Sequence, residues 1–591
     1  MIEAYILLRN TYTTAQQKIQ GSFNLLSMAR LLSLLGALFA AYKYFDTKTS
    51  GWLMTGVVFL TAFLVLVRIH QRISFRLQLA KKLREINDRE IDYLENHTLY
   101  YSGGAAFVDH QHAYSFDLDI FGDKSLFQHL NRTGTSMGLQ SLAKGFTNHL
   151  SNDDIPAHQH AVKELTNDVE WRQQVLALAL LSKDKQAYKN LADWTGRKPA
   201  TINILVNAAS YIIPACIMIC FASYAFFDLP TLRYIQYGFL LNLLIASPVL
   251  KHIFKENNRF DKIETVLQRY VLLLQKIEAR NFESSYLRDL QAKLRVNGRL
   301  ASVQLKTIGK LFGQMNTIAN VLALIVLNGF FQYHVHVYRA VLKWKKMNAG
   351  FLLQWLDVIG EIEKLNSLAN FAFNNKAYVF PAINKNSIIA FEALGHPLIR
   401  QDKRVCNDIS FEKHNFLVLT GSNMSGKSTF LRSLGVNMIL ASMGSVVCAK
   451  AAQVHPLRVL VSMRLSDSLS EGASYFFAEV SRLKYIMDHT TKERCFILLD
   501  EILRGTNSDD KRSGTIGVIK KLLHNEATGA IATHDIEVCR LKEDFPESIM
   551  NKRFEVNIVE DELHFDYKLL DGVCRNKSAT FLMKKMQIIE Q

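Results

Sequence analysis

The stretch "FLVLTGSNMSGKSTFLRSLG", residues 416–435, decides how this chain is read. An apolar run is followed by a loop bounded by Gly421 and Gly426, and then by a segment of helical texture. The string from Gly421 to Ser428 fits G-x-x-x-x-G-K-[ST], a loop whose glycines let successive backbone N–H groups curl inward around phosphate oxygens. The helix that follows presents its positive end to the same place. Lys427 supplies a point charge for the β- and γ-phosphates, and the Ser428 hydroxyl is a magnesium ligand. Gly421, Ser422, Asn423, Met424, Ser425, Gly426, Lys427, Ser428 and Thr429 are thus the candidate nucleotide-binding set, with ATP and Mg2+ the expected cofactors.

Downstream, "RCFILLDEILRGT" places Asp500 and Glu501 after a continuous apolar run, the pattern of a buried parallel strand. Asp500 is expected to hold magnesium through water, and Glu501 to polarise the attacking water. A third apolar run, "GAIATH", brings His534 to the same sheet edge as a candidate γ-phosphate sensor. In "LSEGASYFFAEVSRLKYIM", Ser474 stands one turn before a helix and too far along the chain to join its own loop. It is the candidate to complete a partner subunit's site. The catalytic set is then Glu501, His534 and Lys427, and the metal set Ser428 and Asp500.

Upstream the texture changes. From about residue 376 short apolar runs alternate with helical segments, as in an α/β domain. Residues 70–200 and 255–375 are helical, with apolar residues recurring at three and four. Four apolar runs are membrane candidates: Leu31–Phe45, which includes Lys43 near its end, Trp52–Val67, and the uncharged Ile202–Phe227 and Tyr234–Leu250. They form two hairpins joined by "DTKTSG" and "DLPTLR". Arg68, Arg72, Arg76, Lys81, Lys82 and Arg84 follow the first hairpin; Arg197 and Lys198 precede the second, and Lys251 and Lys255 follow it. The positive-inside rule then puts the N-terminus, the central segment and everything after residue 250 in the cytosol. A fifth run, Ile318–Phe331, is read as a core helix, because a further span would carry the phosphate loop out of the cytosol.

The chain of 591 residues carries a net charge of +16, which implies an anionic partner, either nucleic acid or a lipid surface. Seven scattered cysteines without a C-x-x-C pair give no disulfide scaffold and no zinc site. The N-terminus lacks the small-residue pattern of a cleaved signal peptide.

"TGSNMSGKST", "DEILRGTNSDD", "ATH" and "EGASYFFAE" together resemble the MutS family of DNA mismatch-repair ATPases, at its phosphate loop, magnesium strand, switch histidine and trans-acting serine segment. "ALGHPLI", residues 393–399, is similar to the entry of that family's ATPase domain. Asp117–Phe146 resembles the start of its helical core, and Leu356–Ala372 that core's returning helix. The resemblance implies a homodimer with composite nucleotide sites and DNA as a ligand. Departures are equally specific. A membrane hairpin stands where mismatch readers carry a Phe-x-Glu wedge domain, a second hairpin interrupts the levers, and no nuclease domain of the Smr type follows. Ser422 and Ser425 replace the usual proline and glycine, and Lys511 a glycine; both obligatory loop glycines remain.

The expected fold class is an α/β phosphate-loop ATPase domain C-terminal to an all-α core and lever region carrying two transmembrane hairpins. The expected divisions are a cytosolic segment 1–24, hairpin 25–69, core-like region 70–200, hairpin 201–252, lever region 253–375 and ATPase domain 376–591. The expected protein is a multi-pass protein of the cytoplasmic membrane with a cytosolic ATPase that couples nucleotide state to DNA binding. The competing readings are an ABC-type transport ATPase and a slow nucleotide-switched structural or signalling protein without DNA. Only 48 residues separate Gly426 from Ser474, too few for a transporter's coupling subdomain, and no span carries the charged residue that marks a substrate route.

Overall fold

The computed structural model describes residues 1–182, 185–198, 201–257, 263–464, 475–559, 562–574 and 588. The chain opens with two long antiparallel helices, α1 (Ile2–Thr47) and α2 (Ser50–Asn96). Both run through the expected limits at 24 and 69. At 46 and 47 residues each is about 70 Å long, more than twice the ~30 Å thickness of a bilayer core. Each therefore has an exposed apolar part near the hairpin tip and a stalk that docks elsewhere. The α2 stalk buries Leu83 and Ile86 against Leu176, Ala177 and Leu180.

Short helices follow: α3 (Leu126–Leu130), α4 (Ser136–Thr147), α5 (Ile155–Thr166), α6 (Val169–Leu181) and α7 (Lys185–Gly196). The second hairpin is α8 (Ile204–Phe227) with α9 (Leu232–Asn257). The two helices close tightly where Gly238 faces Ile217, since a Cβ there would come within 2.8 Å of that side chain. Such small-residue contacts are how apolar helices pack in lipid. By length and composition, α1, α2, α8 and α9 are each able to cross a membrane.

Next come α10 (Ile263–Glu278), α11 (Ser285–Ala292), a two-stranded ribbon β1 (Arg295–Val296) and β2 (Arg299–Leu300), then α12 (Ala301–Asn316), α13 (Val321–Phe331) and α14 (Tyr333–Asn374). Helix α14, with 42 residues, is the spine of the helical region. Its buried Glu363 accepts from the Gly134 N–H at 2.6 Å and binds the Thr135 hydroxyl, fixing the start of α4 against it. At its far end Tyr5 of α1 is fully buried and donates to Asn374 at 2.7 Å. Asn370 and Asn374 also donate to Glu90 of α2, which pairs with buried Arg132. The first hairpin is thus tied to the last turns of the spine.

The reading of Ile318–Phe331 as a core helix is corrected. Helix α13 buries only Asn328 and Gly329 and exposes Val321, Leu322, Ile325, Val326 and Phe331. It is apolar on every side, so one face packs against the second hairpin and the other has no polar residues to offer to water.

The C-terminal part holds two sheets. The smaller is ordered β3 (Ala382–Ile383), β7 (Ala451–Val454), β4 (Ile389–Leu394), β5 (Asn407–Ser410). The larger has six strands in the order β12-β11-β6-β10-β9-β8. Here β6 is Phe416–Thr420, β8 Arg458–Ser462, β9 Cys495–Asp500, β10 Thr528–Ala532, β11 Ile549–Val559 and β12 Glu562–Asp571. The pairings from β11 to β8 are parallel, and β12 closes the edge antiparallel. Helices α15 (Lys427–Ser442), α16 (Tyr475–Thr490), α17 (Ser508–His524) and α18 (Leu541–Asp544) complete the domain. Every residue of β6, β9 and β10 is buried, as continuous apolar runs demand of strands covered on both faces.

Candidate functional site

Parallel register brings the chemistry together. Ala532 of β10 lies opposite both Leu419 of β6 and Asp500 of β9, so three strand ends meet at one edge of the sheet. The loop after β6 turns at Met424 (φ 65°) and Gly426 (φ 104°) and delivers Lys427 to the first position of α15. At Gly421 a Cβ would meet Ser425 Oγ at 2.6 Å and the Phe554 carbonyl at 3.0 Å, so the backbone there tolerates no side chain. Met424 points outward, 81% exposed.

Lys427 Nζ is drawn into the loop, donating to the carbonyls of Gly421 at 2.8 Å and Ser422 at 2.9 Å. Burial lowers its pKa, partly offset by Glu501 and Asp500 nearby. Ser428 Oγ donates to Asp500 Oδ2 at 2.6 Å, which links the loop helix to β9. His534 Nε2 lies 2.6 Å from Glu501 Oε1 and 3.3 Å from Lys427 Nζ. An ammonium is a donor only, so the Nε2 proton belongs to the shorter contact and is donated to the carboxylate. That hydrogen bond, against the opposing effect of burial, holds the Glu501 carboxyl down at about 2. Lys427, Ser428, Asp500, Glu501 and His534 therefore form one connected cluster. All but His534 line a cavity of about 660 Å³, with Arg504, Phe554 and Tyr567 on its other walls.

The donor set suits a nucleotide phosphate and a hard cation. The hydroxyls of Ser422 and Ser425 are buried in the loop without a hydrogen-bond partner, and Ser425 lines the cavity, a donor that a phosphate oxygen would satisfy. Ser428 and Asp500 offer one hydroxyl and one carboxylate oxygen, hard ligands of the kind magnesium takes. Among the described residues no group of three or more His, Cys, Asp or Glu forms a metal cage. A magnesium ion here would complete its shell with phosphate oxygens and water.

Two residues, Glu479 and Arg504, escaped the sequence reading, and both act on the loop after β9. Glu501 and Leu503 are non-glycine residues at positive φ, 49° and 61°. Such a strained turn persists only where its surroundings impose it. The buried carboxylate of Glu479 does so, accepting from the N–H groups of Leu503 at 2.6 Å and Arg504 at 3.1 Å. Arg504 in turn donates to the carbonyls of Glu501 and Asp500. The only sequence signal for Glu479 is an acidic residue on the inward side of α16. Ser474, singled out for a partner's site, lies outside the described residues.

A mixed parallel sheet with a glycine-bounded loop and a strand-end Asp–Glu pair, set on an all-helical scaffold, defines a nucleotide-site α/β domain of MutS-like architecture. Residues 417–589 match the family model of MutS domain V. The chain is 38% identical over 206 residues to the DNA mismatch repair protein MutS of Haloquadratum walsbyi, covering 34% of this chain and 22% of that protein. It is 33% identical over 231 residues to the MutS of Protochlamydia amoebophila (37% and 27%) and 33% over 227 residues to that of Thermotoga neapolitana (37% and 28%). The chain spans about a quarter of the length of these relatives. Its C-terminal domain is thus similar to domain V of MutS proteins.

Proposed function

We propose that this chain is a membrane-anchored, dimeric ATPase of MutS type that couples nucleotide state, through its long helices, to binding of DNA. The observation that carries the reading is the convergence of Lys427, the Ser428–Asp500 pair and Glu501 on one cavity, with His534 bonded to Glu501 behind its wall. In this reading Lys427 exchanges the carbonyls of Gly421 and Ser422 for β- and γ-phosphate oxygens, a stronger charge-assisted contact. Magnesium held at Ser428 and Asp500 would neutralise charge on the phosphates. Glu501, ionised and oriented by His534, aligns the attacking water and accepts its proton; His534 would sense a γ-phosphate by turning its one Nε2 proton from Glu501 to a phosphate oxygen. Each nucleotide would be shared with Ser474 of a second copy.

The anchor is assigned from the four apolar helices, and the positive residues beside them support a cytosolic ATPase domain. DNA is assigned from the printed names of the relatives. The test measures ATP binding and phosphate release in the detergent-solubilised dimer. Lys427→Ala is expected to weaken nucleotide binding, and Glu501→Gln to retain ATP while losing turnover. Wild-type turnover by Glu501→Gln would remove the catalytic assignment. Binding of duplex, mismatched and single-stranded DNA across a salt series tests the ligand, because phosphate contacts give a steep negative slope.

A further inference from the structure

Helix α13 has a surface that an ATPase in water does not need. No Asp, Glu, Lys or Arg occurs between Lys310 and Arg339. Within that span α12 and α13 meet at a bend of 108°. Val321 and Leu322, 66% and 76% exposed, lead an apolar face directed away from the protein. The opposite face lies on α9 so closely that a Cβ at Gly329 would meet the Phe239 ring at 2.1 Å.

The depth of that contact is informative. Asn242 sits midway along the run Tyr234–Leu250, about 12 Å from either end. Its side chain donates to the Gly329 carbonyl at 2.9 Å and accepts from Gln332 Nε2 at 2.7 Å. The end of α13 therefore reaches the middle of the hairpin.

Most polar groups of the turn into α14 are paired inside the protein, while Gln332 Oε1 is buried without a partner. Asn328 accepts from the His334 N–H at 3.1 Å and contacts its Nδ1 at 2.8 Å, while His334 Nε2 meets Thr317 Oγ1 at 3.0 Å. Asn242, Asn328, Gln332 and His334 are all fully buried. Non-helical backbone persists at bilayer depth only when its polar groups are satisfied inside protein; a turn facing water has no such need. The first cation beyond the turn, Arg339, reaches Tyr211 and Ser210 near the start of α8, where a long basic side chain meets the interface.

We propose that α13 is a membrane element that does not cross: it lies among acyl chains in the leaflet facing the ATPase domain, so that α14 is rooted inside the bilayer. The proposal rests on the membrane-anchored reading of α8 and α9, and commits to lipid as the occupant of the Val321–Leu322 face, which continues the exposed apolar surface of that hairpin.

Single nitroxide labels at Leu322→Cys, Leu240→Cys in α9 and Val303→Cys in α12 test it in the full chain in bilayer nanodiscs. All three positions are exposed, so labelling leaves the packing intact. Cys216, Cys220 and Cys406 are replaced by alanine and the four buried cysteines kept. The readout is relaxation by oxygen against a water-soluble nickel chelate. The expected result is that Leu322 and Leu240 favour oxygen and lose most of the chelate effect seen at Val303. A Leu322 label relaxed by the chelate like Val303, while Leu240 stays with oxygen, overturns the proposal and leaves the membrane reading standing. That result would also be the outcome if a protein partner in water covered this face. A Leu240 label relaxed by the chelate overturns both.

Discussion

At the scale of single residues, the site sets one carboxylate apart. Glu501 combines a left-handed backbone, φ 49°, with a side chain bonded to His534 and a carboxyl held at about 2 against an ordinary 4.5. The backbone cost is of the order of 1–3 kcal/mol, and glycine would relieve it. Glu501→Gly is therefore expected to abolish turnover and, because relief of the backbone offsets part of the lost His534 contact, to lower the thermal midpoint less than Glu501→Ala, which keeps the strain. Protonation follows from the same numbers. The folded pKa is depressed, so the interaction stabilises the protein fully above the unfolded value near 4.5 and is lost as pH falls toward about 2. The midpoint difference between wild type and Glu501→Gln should be greatest near neutrality and vanish across that window, measured by thermal melts at stepped pH. A difference that grew with acidity would contradict the ionised assignment.

At the scale of elements, the buried strands and the loop were legible because their chemistry is local. β6, β9 and β10 are covered on both faces, and only continuous apolar runs fill such positions. The carboxylate of Glu479 was not legible, since its partners are the N–H groups of a loop 24 and 25 residues away that nothing in the sequence marks as strained. Glu479→Ala leaves both donors buried and unpaired, at a cost of about 1–3 kcal/mol each. It should lower the melting temperature and reduce kcat by detaching Glu501 from its orientation, with ATP affinity largely retained because the phosphate loop is untouched. Glu479→Gln keeps one acceptor and should fall between. A kcat equal to wild type in the alanine variant would show that the loop holds itself. The hairpins were legible by their lack of charge, but the length of α1 and α2 was not. Their stalks pack by stripes, and Tyr5 reads as one apolar residue among several until its bonds to Asn370 and Asn374 are seen.

At the scale of the whole molecule, three long helices join the apolar hairpins to the sheet domain. Tyr5 and Glu90 on the first hairpin and Asn370 and Asn374 on the spine share one buried polar node with Arg132. Burial pushes the Glu90 carboxyl up, but the Arg132 charge and the bonds from both asparagines outweigh it and hold it below the ordinary range. Arg132→Ala would strand that carboxylate, at about 3–5 kcal/mol, whereas Glu90→Gln with Arg132→Met removes both charges and should recover most of the loss. Such a rigid path matters only if nucleotide moves the sheet domains relative to one another, which is what a composite site would do. In the proposed composite site a γ-phosphate held by Lys427 of one copy and Ser474 of another would bridge two ATPase domains, so ATP would tighten the dimer by mass action. Confinement to one membrane, as proposed, would raise the effective concentration of partners, and a modest affinity between soluble domains would then suffice. Mixing two inactive variants, Lys427→Ala and Ser474→Arg, tests this directly. A mixed dimer has one site with both defects and one with neither, so subunit exchange should restore part of the activity, up to about half of wild type per heterodimer if the sites fire independently. Cross-linking of differently tagged copies reports the exchange, and each variant alone must be inactive. Verified heterodimers that trap nucleotide at one site without hydrolysing it would mean that both sites must fire together. Verified heterodimers that neither trap nor hydrolyse would remove Ser474 from the shared site.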